Sequence, residues 1–437
     1  MSRIEPAFPA VTCTAQSNYL TGQTPSQHGI VGNGWYNREL AEVQFWKQSN
    51  HLVAGKKLWE TLRETTDPEF TCAKMFWWYN MYSSADWSVT PRPMYPADGR
   101  KFFDIYAWPF SIREEIKRDL GEFPFPAFWG PAAGVDSSRF EADAVSKWIA
   151  ESAKWIERKQ SPTLNLVYLP HLDYNLQRLG PNHPAIASDL HRIDAIVGNL
   201  IDFFVKQSVQ VVLLSEYGIS AVDTPVHLNR LFRERGWLTI KEELGLELLD
   251  CGASPVFAVA DHQVAHIYVN NPALENSVRS LLEKQSGVAK VWGAAEKKTH
   301  GLDHPRSGDL IAVAKDRAWF TYYYWMDDRR APDFARTVDI HRKPGYDPAE
   351  LFLDPKLPLV KARIGWRLLQ KKLGFRMLMD VVPLDATLVK GSHGGRPANP
   401  AEWPLLISSR PDLLRQPAIN STEVFGVLRR HVIGSAS

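Results

Sequence analysis

Two apolar runs, "PTLNLVYLPHLDYN" at residues 162–175 and "VQVVLLSEYG" at residues 209–218, decide the fold class. Each is a short continuous apolar stretch running into polar residues, the pattern of a strand buried on both faces. Between them, Ile186, Leu190, Ile193, Val197, Leu200 and Phe204 recur at steps of three and four, which predicts an amphipathic helix. Helices alternating with such strands imply an α/β fold, a mostly parallel sheet covered on both faces. Ligands of these sheets lie beyond the carboxyl ends of the strands, so "HLDYNLQ" and "SEYG" are the first places to look for chemistry.

Outward from this centre, "GKKLWETLRE" at 55–64 predicts a helix, "FTCAKMFWWY" at 70–79 a buried strand, and Ser138 to Arg158 a further helix. Residues 80–135 are rich in Pro, Gly and aromatics and read as an inserted lid or binding surface. A second insertion is expected at about 225–300, with "FAVADHQVAHIYV" in strands, and "GDLIAVA" before "AWFTYYYW" suggests a late hairpin. A chain of 437 residues is then one large domain spanning 1–437 with inserted cap segments.

The 51 basic and 49 acidic residues nearly cancel, giving no electrostatic case for nucleic acid or an anionic membrane. Cys13, Cys72 and Cys251 are far apart and suggest neither a disulfide framework nor a zinc site, which fits a reducing cytoplasm. No apolar run nears the ~20 residues that span a bilayer, and the N-terminus shows no export signal. The expected partner is a small-molecule phosphate ester rather than a nucleic-acid polymer or a membrane; the sequence leaves the oligomeric state open. Eight of the 16 tryptophans lie between Trp35 and Trp129, an aromatic concentration that points to a substrate side.

Near the start lies "PAFPAVTCTAQSNYLTGQTPSQHGIVGNGWY", residues 6–36. Thr12 follows an extended stretch and precedes a helix-compatible run, so it stands at a helix N-terminus, a favourable anion site. A threonine hydroxyl is a poor nucleophile without a metal or a base, and on its own Thr12 reads first as a helix cap.

The segment resembles the nucleophile region of the alkaline phosphatase superfamily, in its type I phosphodiesterase/nucleotide pyrophosphatase branch. Thr12, Thr21-Gly22, Pro25, His28-Gly29 and Asn33 match the branch pattern without a gap. The resemblance implies an alkaline-phosphatase-like fold, Thr12 as the nucleophile of a phosphothreonine intermediate, and Asn33 with the backbone N–H of Cys13 as holders of the phosphoryl oxygens. It also implies metal ligands at an Asp and a His four apart, at an Asp-His-Gly, and at a late Ser/Thr-His-Gly. Here those positions are Asp173 and Gln177, then Glu216 and Tyr217, then His393 in "GSHGGRPANPAEWPLLISS". His341, in "DIHRKPGYDP", competes for the last place.

The superfamily implies zinc, whereas this oxygen-rich set also suits manganese or magnesium, as one ion or two. In the branch, a strand ending in an Asp ligand precedes the nucleophile. Either such a strand lies upstream of Met1, or this chain works without it. The implied function is metal-dependent hydrolysis of phosphodiester or phosphoanhydride bonds, with Trp78 and Tyr79 stacking on the leaving group. Alternatives are a phosphomonoesterase or phosphonate C–P hydrolase, and a non-catalytic binder of phosphate ligands. The clusters in "ADHQVAH" (260–266) and "GLDHPRSGDL" (301–310) find no place in the match and read as structural salt bridges.

Overall fold

The computed structural model describes residues 1–98 and 100–434. Its strands are β1 (Ser2–Glu5), β2 (Cys72–Met75), β3 (Trp87–Pro91), β4 (Ile105–Trp108), β5 (Leu164–Val167), β6 (Val212–Leu214), β7 (Val256–Asp261), β8 (Val264–Val269), β9 (Val288–Trp292), β10 (Leu310–Ala314), β11 (Leu405–Ser408) and β12 (Ala418–Asn420), beside several short pairs. The helices used below are α1 (Thr12–Thr21), α2 (Leu58–Thr65), α3 (Ser111–Leu120), α4 (Ala144–Gln160), α5 (His171–Leu179), α6 (Ile186–Val205), α7 (Val360–Lys372) and α8 (Val424–Ile433).

Three four-stranded sheets carry the α/β, alkaline-phosphatase-like fold. One has the order β4-β3-β2-β5 and is parallel through β3, β2 and β5. A second runs β12-β1-β11-β6, with β1 parallel to β12 and antiparallel to β11. The third, β7-β8-β10-β9, is antiparallel throughout. Residues 80–135 contribute β3, β4 and α3, so this aromatic-rich stretch extends the parallel sheet. The segment after β10 does not fold back as a hairpin; Ala318–Phe320 pairs in parallel with Thr224–Val226.

The strand expected at 70–79 is confined to Cys72–Met75, because Phe76 and Tyr79 take positive φ angles of 63° and 53°. The chain turns there and folds its aromatics inward. Ile4, Tyr19, Leu20, Leu58, Trp59, Leu406, Val424 and Val427 form one core that fixes α1 against β1, α2 and α8.

Two short contacts position the site. Gly391–Ser392 pairs with Ser220–Ala221, which brings the segment after β6 beside His393. The Ala10 N–H donates to the Gly394 carbonyl at 2.9 Å, which lays the same loop against the start of α1. A Cβ on Gly391 would lie 2.1 Å from the Leu176 carbonyl oxygen at the end of α5, so only glycine fits. Gly391→Ala is expected to cost about 1–3 kcal/mol by overpacking, read as a lower midpoint in thermal or urea unfolding.

Candidate active site

Thr12 is the first residue of α1, not its cap. The N-cap is Val11, whose side chain caps nothing, and this leaves the Thr12 hydroxyl free to face the site. Thr12 Oγ1 lies 3.0 Å from the Tyr217 hydroxyl. Tyr217 donates its single hydrogen to Asp173 Oδ1 at 3.1 Å, so the Thr12 hydroxyl is the donor in its own contact with the phenol. A directed chain results, from Thr12 through Tyr217 to Asp173.

Asp173 sits in the first turn of α5, with Gln177 one turn further on the same face. Burial raises the Asp173 pKa to about 6. Glu216, at the end of β6, accepts from Gln16 Nε2, and burial pushes its carboxyl up to about 8. Burial also holds the Tyr217 phenol well above its usual range, so it is un-ionised.

His393 lies against this chain. Its ring stacks on Tyr217 at 3.7 Å between centroids and 6° between planes. Its Nδ1 contacts the Ala10 carbonyl at 2.7 Å and therefore carries the hydrogen. That leaves Nε2 as a bare lone pair, without a partner and 3.8 Å from Asp173 Oδ1. Burial lowers the His393 pKa to about 3, so the ring is neutral.

On the other side of Thr12, the Cys13 N–H donates to Asn33 Oδ1 at 3.1 Å. Asp261, at the end of β7, accepts from the Asn33 backbone N–H at 2.7 Å and from its Nδ2 at 3.1 Å. His262 stacks on Tyr346 and lies tilted against His393, with centroids 3.6 Å apart in each case, and Tyr346 donates to Gln177 Oε1 at 2.9 Å. The Val31 carbonyl lies 3.0 Å from His266 Nε2, while the Gly308 N–H donates to its Nδ1 at 3.1 Å.

The structure thus brings together Thr12, Cys13, Asn33, Asp173, Gln177, Glu216, Tyr217 and His393. It also adds Gln16, Asp261, His262 and Tyr346. The "ADHQVAH" cluster is not a set of structural salt bridges: Asp261 orients Asn33, His262 wedges against His393, and His266 braces the loop before Asn33. His341 contacts the Phe45 carbonyl and stands apart from the cluster around Thr12, which His393 joins. Trp78 and Tyr79, expected to stack on the leaving group, are both buried in this structure. Trp78 packs on Trp46 at 5.0 Å and donates its N–H to Gln16 Oε1, while the Tyr79 carbonyl accepts from Lys74 and Asn50.

The donor set does not fit the implied metal ions. Among the described residues, no three His, Cys, Asp or Glu side chains converge on one point. The Tyr217 hydroxyl fills the place between Thr12 and Asp173 that a shared ion would need, and Tyr346 already takes the Gln177 carbonyl. A neutral phenol with a hydrogen-bonded Glu216 is a weak replacement for carboxylate and imidazole. We expect the purified protein to hold well under one equivalent of zinc or manganese by elemental analysis. The double change Glu216→Asp with Tyr217→His should bring zinc binding up to the micromolar range in calorimetry. Stoichiometric metal in the wild type would refute this.

Comparison with known proteins agrees with the fold. A family model described as type I phosphodiesterase / nucleotide pyrophosphatase matches residues 1–347. An uncharacterized pyrophosphatase/phosphodiesterase of Schizosaccharomyces pombe is 22% identical over 232 residues, 52% of this chain and 39% of that protein. This chain therefore spans well under half of that relative. Among solved structures, phosphonoacetate hydrolase from Sinorhizobium meliloti with phosphonoacetate aligns with a TM-score of 0.58 at 13% identity, covering 100% of this chain and 87% of that one. Human ectonucleotide pyrophosphatase/phosphodiesterase 5 aligns at 0.55 and 14% identity, with the same coverage. The inactive murine counterpart in complex with AMP aligns at 0.54 and 13%, again with that coverage. At these identities the structures establish the fold alone. With the family model matched over residues 1–347, the chain belongs to the type I phosphodiesterase / nucleotide pyrophosphatase family.

Proposed function

We propose that this chain hydrolyses a phosphodiester or phosphoanhydride bond of a small molecule, with Thr12 as the nucleophile. The observation that carries the reading is the hydrogen-bonded chain Thr12–Tyr217–Asp173 at the uncapped N-terminus of α1. There the helix dipole favours an anion and the nucleophile already has a path for its proton.

In the first step Thr12 Oγ1 forms a bond to phosphorus as its hydrogen passes to the Tyr217 oxygen, while the phenol's own hydrogen passes to Asp173. The bond from phosphorus to the leaving oxygen breaks; that oxygen keeps the electron pair and takes a proton from solvent. In the second step water adds to phosphorus and loses a proton to solvent. Thr12 leaves with its electron pair and regains its hydrogen through Tyr217 from Asp173. The Cys13 N–H, held by Asn33 in the ligand-free arrangement, would turn to a phosphoryl oxygen, with Asp261 keeping Asn33 alongside.

Nucleotide esters are the substrate class to try first, since the murine relative binds AMP. Turnover of bis-p-nitrophenyl phosphate, p-nitrophenyl phosphate and phosphonoacetate tests the bond type; hydrolysis of phosphonoacetate alone would displace the phosphodiester reading. A second reading is favoured by the absence of a three-donor metal cluster among the described residues: a phosphate-ligand binder that does not hydrolyse. Nucleotide binding without turnover, unchanged in Thr12→Ala, would decide for it.

A further inference from the structure

The near-zero net charge of the whole chain conceals a local excess. From Lys356 to Arg376 there are seven basic residues and no acidic one. This stretch contains α7, a helix of thirteen residues none of which is buried. Arg363 and Arg367 face the protein and are held by Asp380, Arg367 at 3.1 Å.

The opposite face is apolar. Ala362, Trp366, Leu369 and Leu373 recur at steps of four, three and four, which places them along one stripe. Trp366, Leu369 and Leu373 are 58%, 44% and 63% exposed. In a surface helix this stripe is ordinarily the one turned to the core. Here it is turned to solvent, with Lys361 and Lys372 at its border.

A second element extends the surface. Lys371 Nζ lies 5.6 Å from the centre of the Phe103 ring, which connects α7 to the loop around residues 94–103. That loop exposes Met94, Tyr95, Phe102 and Phe103, with Lys101 over both Tyr95 and Phe103. Exposed rings and leucines surrounded by basic side chains form a contiguous patch of a kind that monomeric soluble proteins rarely leave open.

We propose that α7, with Tyr95, Lys101, Phe102 and Phe103 beside it, docks on an anionic lipid bilayer surface, the helix lying in the interfacial plane. The choice of occupant follows from charge. An apolar stripe alone would accept a second copy of the chain, but a copy would set Lys361, Lys371, Lys372 and Arg376 against their own equivalents; the other three basic residues of the stretch are already paired, Lys356 with Asp385 and Arg363 and Arg367 with Asp380. Anionic headgroups complement the lysines while Trp366, Leu369 and Leu373 enter the acyl boundary. No helix of the described residues is long and apolar enough to cross a membrane.

The test is co-sedimentation of the full chain with vesicles of phosphatidylcholine alone and of phosphatidylcholine mixed with phosphatidylglycerol. Binding is expected to the mixed vesicles and to weaken as salt is raised. The pair Trp366→Ser/Leu369→Ser and the pair Lys361→Glu/Lys372→Glu should each lower the partition coefficient at least tenfold while keeping wild-type melting, since all four side chains are exposed. Quenching of wild-type tryptophan fluorescence by brominated lipid provides a readout that needs no variant. Equal binding to neutral and anionic vesicles, or none, overturns the proposal. So does a dimer in solution that Trp366→Ser/Leu369→Ser dissociates, which would assign the face to a second copy.

Discussion

Thr12→Ala is expected to lower turnover of a phosphodiester by at least ~10³-fold and to abolish trapping of a phosphorylated protein, while the fold and the phosphate pocket persist. Removing the hydroxyl costs one hydrogen bond to Tyr217, about 1 kcal/mol of stability, because the phenol keeps its partner Asp173. Loss of activity therefore cannot be charged to unfolding. Thr12→Ser, which keeps the hydroxyl and its position at the start of α1, should retain much of the rate. The measurement is intact-protein mass after acid quench during turnover. A phosphoryl adduct in wild type that is absent in Thr12→Ala identifies the nucleophile; an adduct unchanged by the substitution moves the chemistry to another residue.

How much of this was legible in the sequence depended on whether a residue's role was local. Thr12, Asn33, Asp173 and His393 stand in short motifs, each tied to a turn or strand end a few residues away. The helix at 186–205 likewise declares itself through its own apolar spacing. What sequence could not show is contact across long separations. Asp261 meets Asn33 over 228 residues, and Tyr346 meets Gln177 over 169.

Tyr217 is the instructive case. Read as a substituted metal ligand it looked like a loss, since a phenol binds metal poorly. Its contacts suit it to another part in the proposed mechanism, because a neutral hydroxyl between Thr12 and Asp173 would transmit a proton where a cation would have lowered the threonine's pKa. The burial of Trp78 and Tyr79 was not legible either: two residues of positive φ, Phe76 and Tyr79, turn the chain after β2 and fold inward the aromatics that an extended strand would have displayed.

If the hydrogen-bonded chain activates Thr12, its terminal base sets the pH dependence. Asp173 ordinarily titrates at 3.8, and burial raises it to about 6. A base must be ionised to accept a proton, so kcat/KM should rise about tenfold per pH unit below 6 and level off above it. Asp173→Asn keeps the shape of the side chain but removes that capacity. We expect ~10²–10⁴-fold lower kcat at neutral pH and loss of the inflection near 6. Tyr217→Phe cuts the path between Thr12 and Asp173 while leaving the aspartate in place, and should approach the same loss. The double variant should then be little worse than either single one, because the two residues act in series. Independent, multiplying effects of the two substitutions would show that Tyr217 and Asp173 do not share one proton path. An inflection that persists in Asp173→Asn would move the base elsewhere, with Glu216 the next carboxylate in the same site.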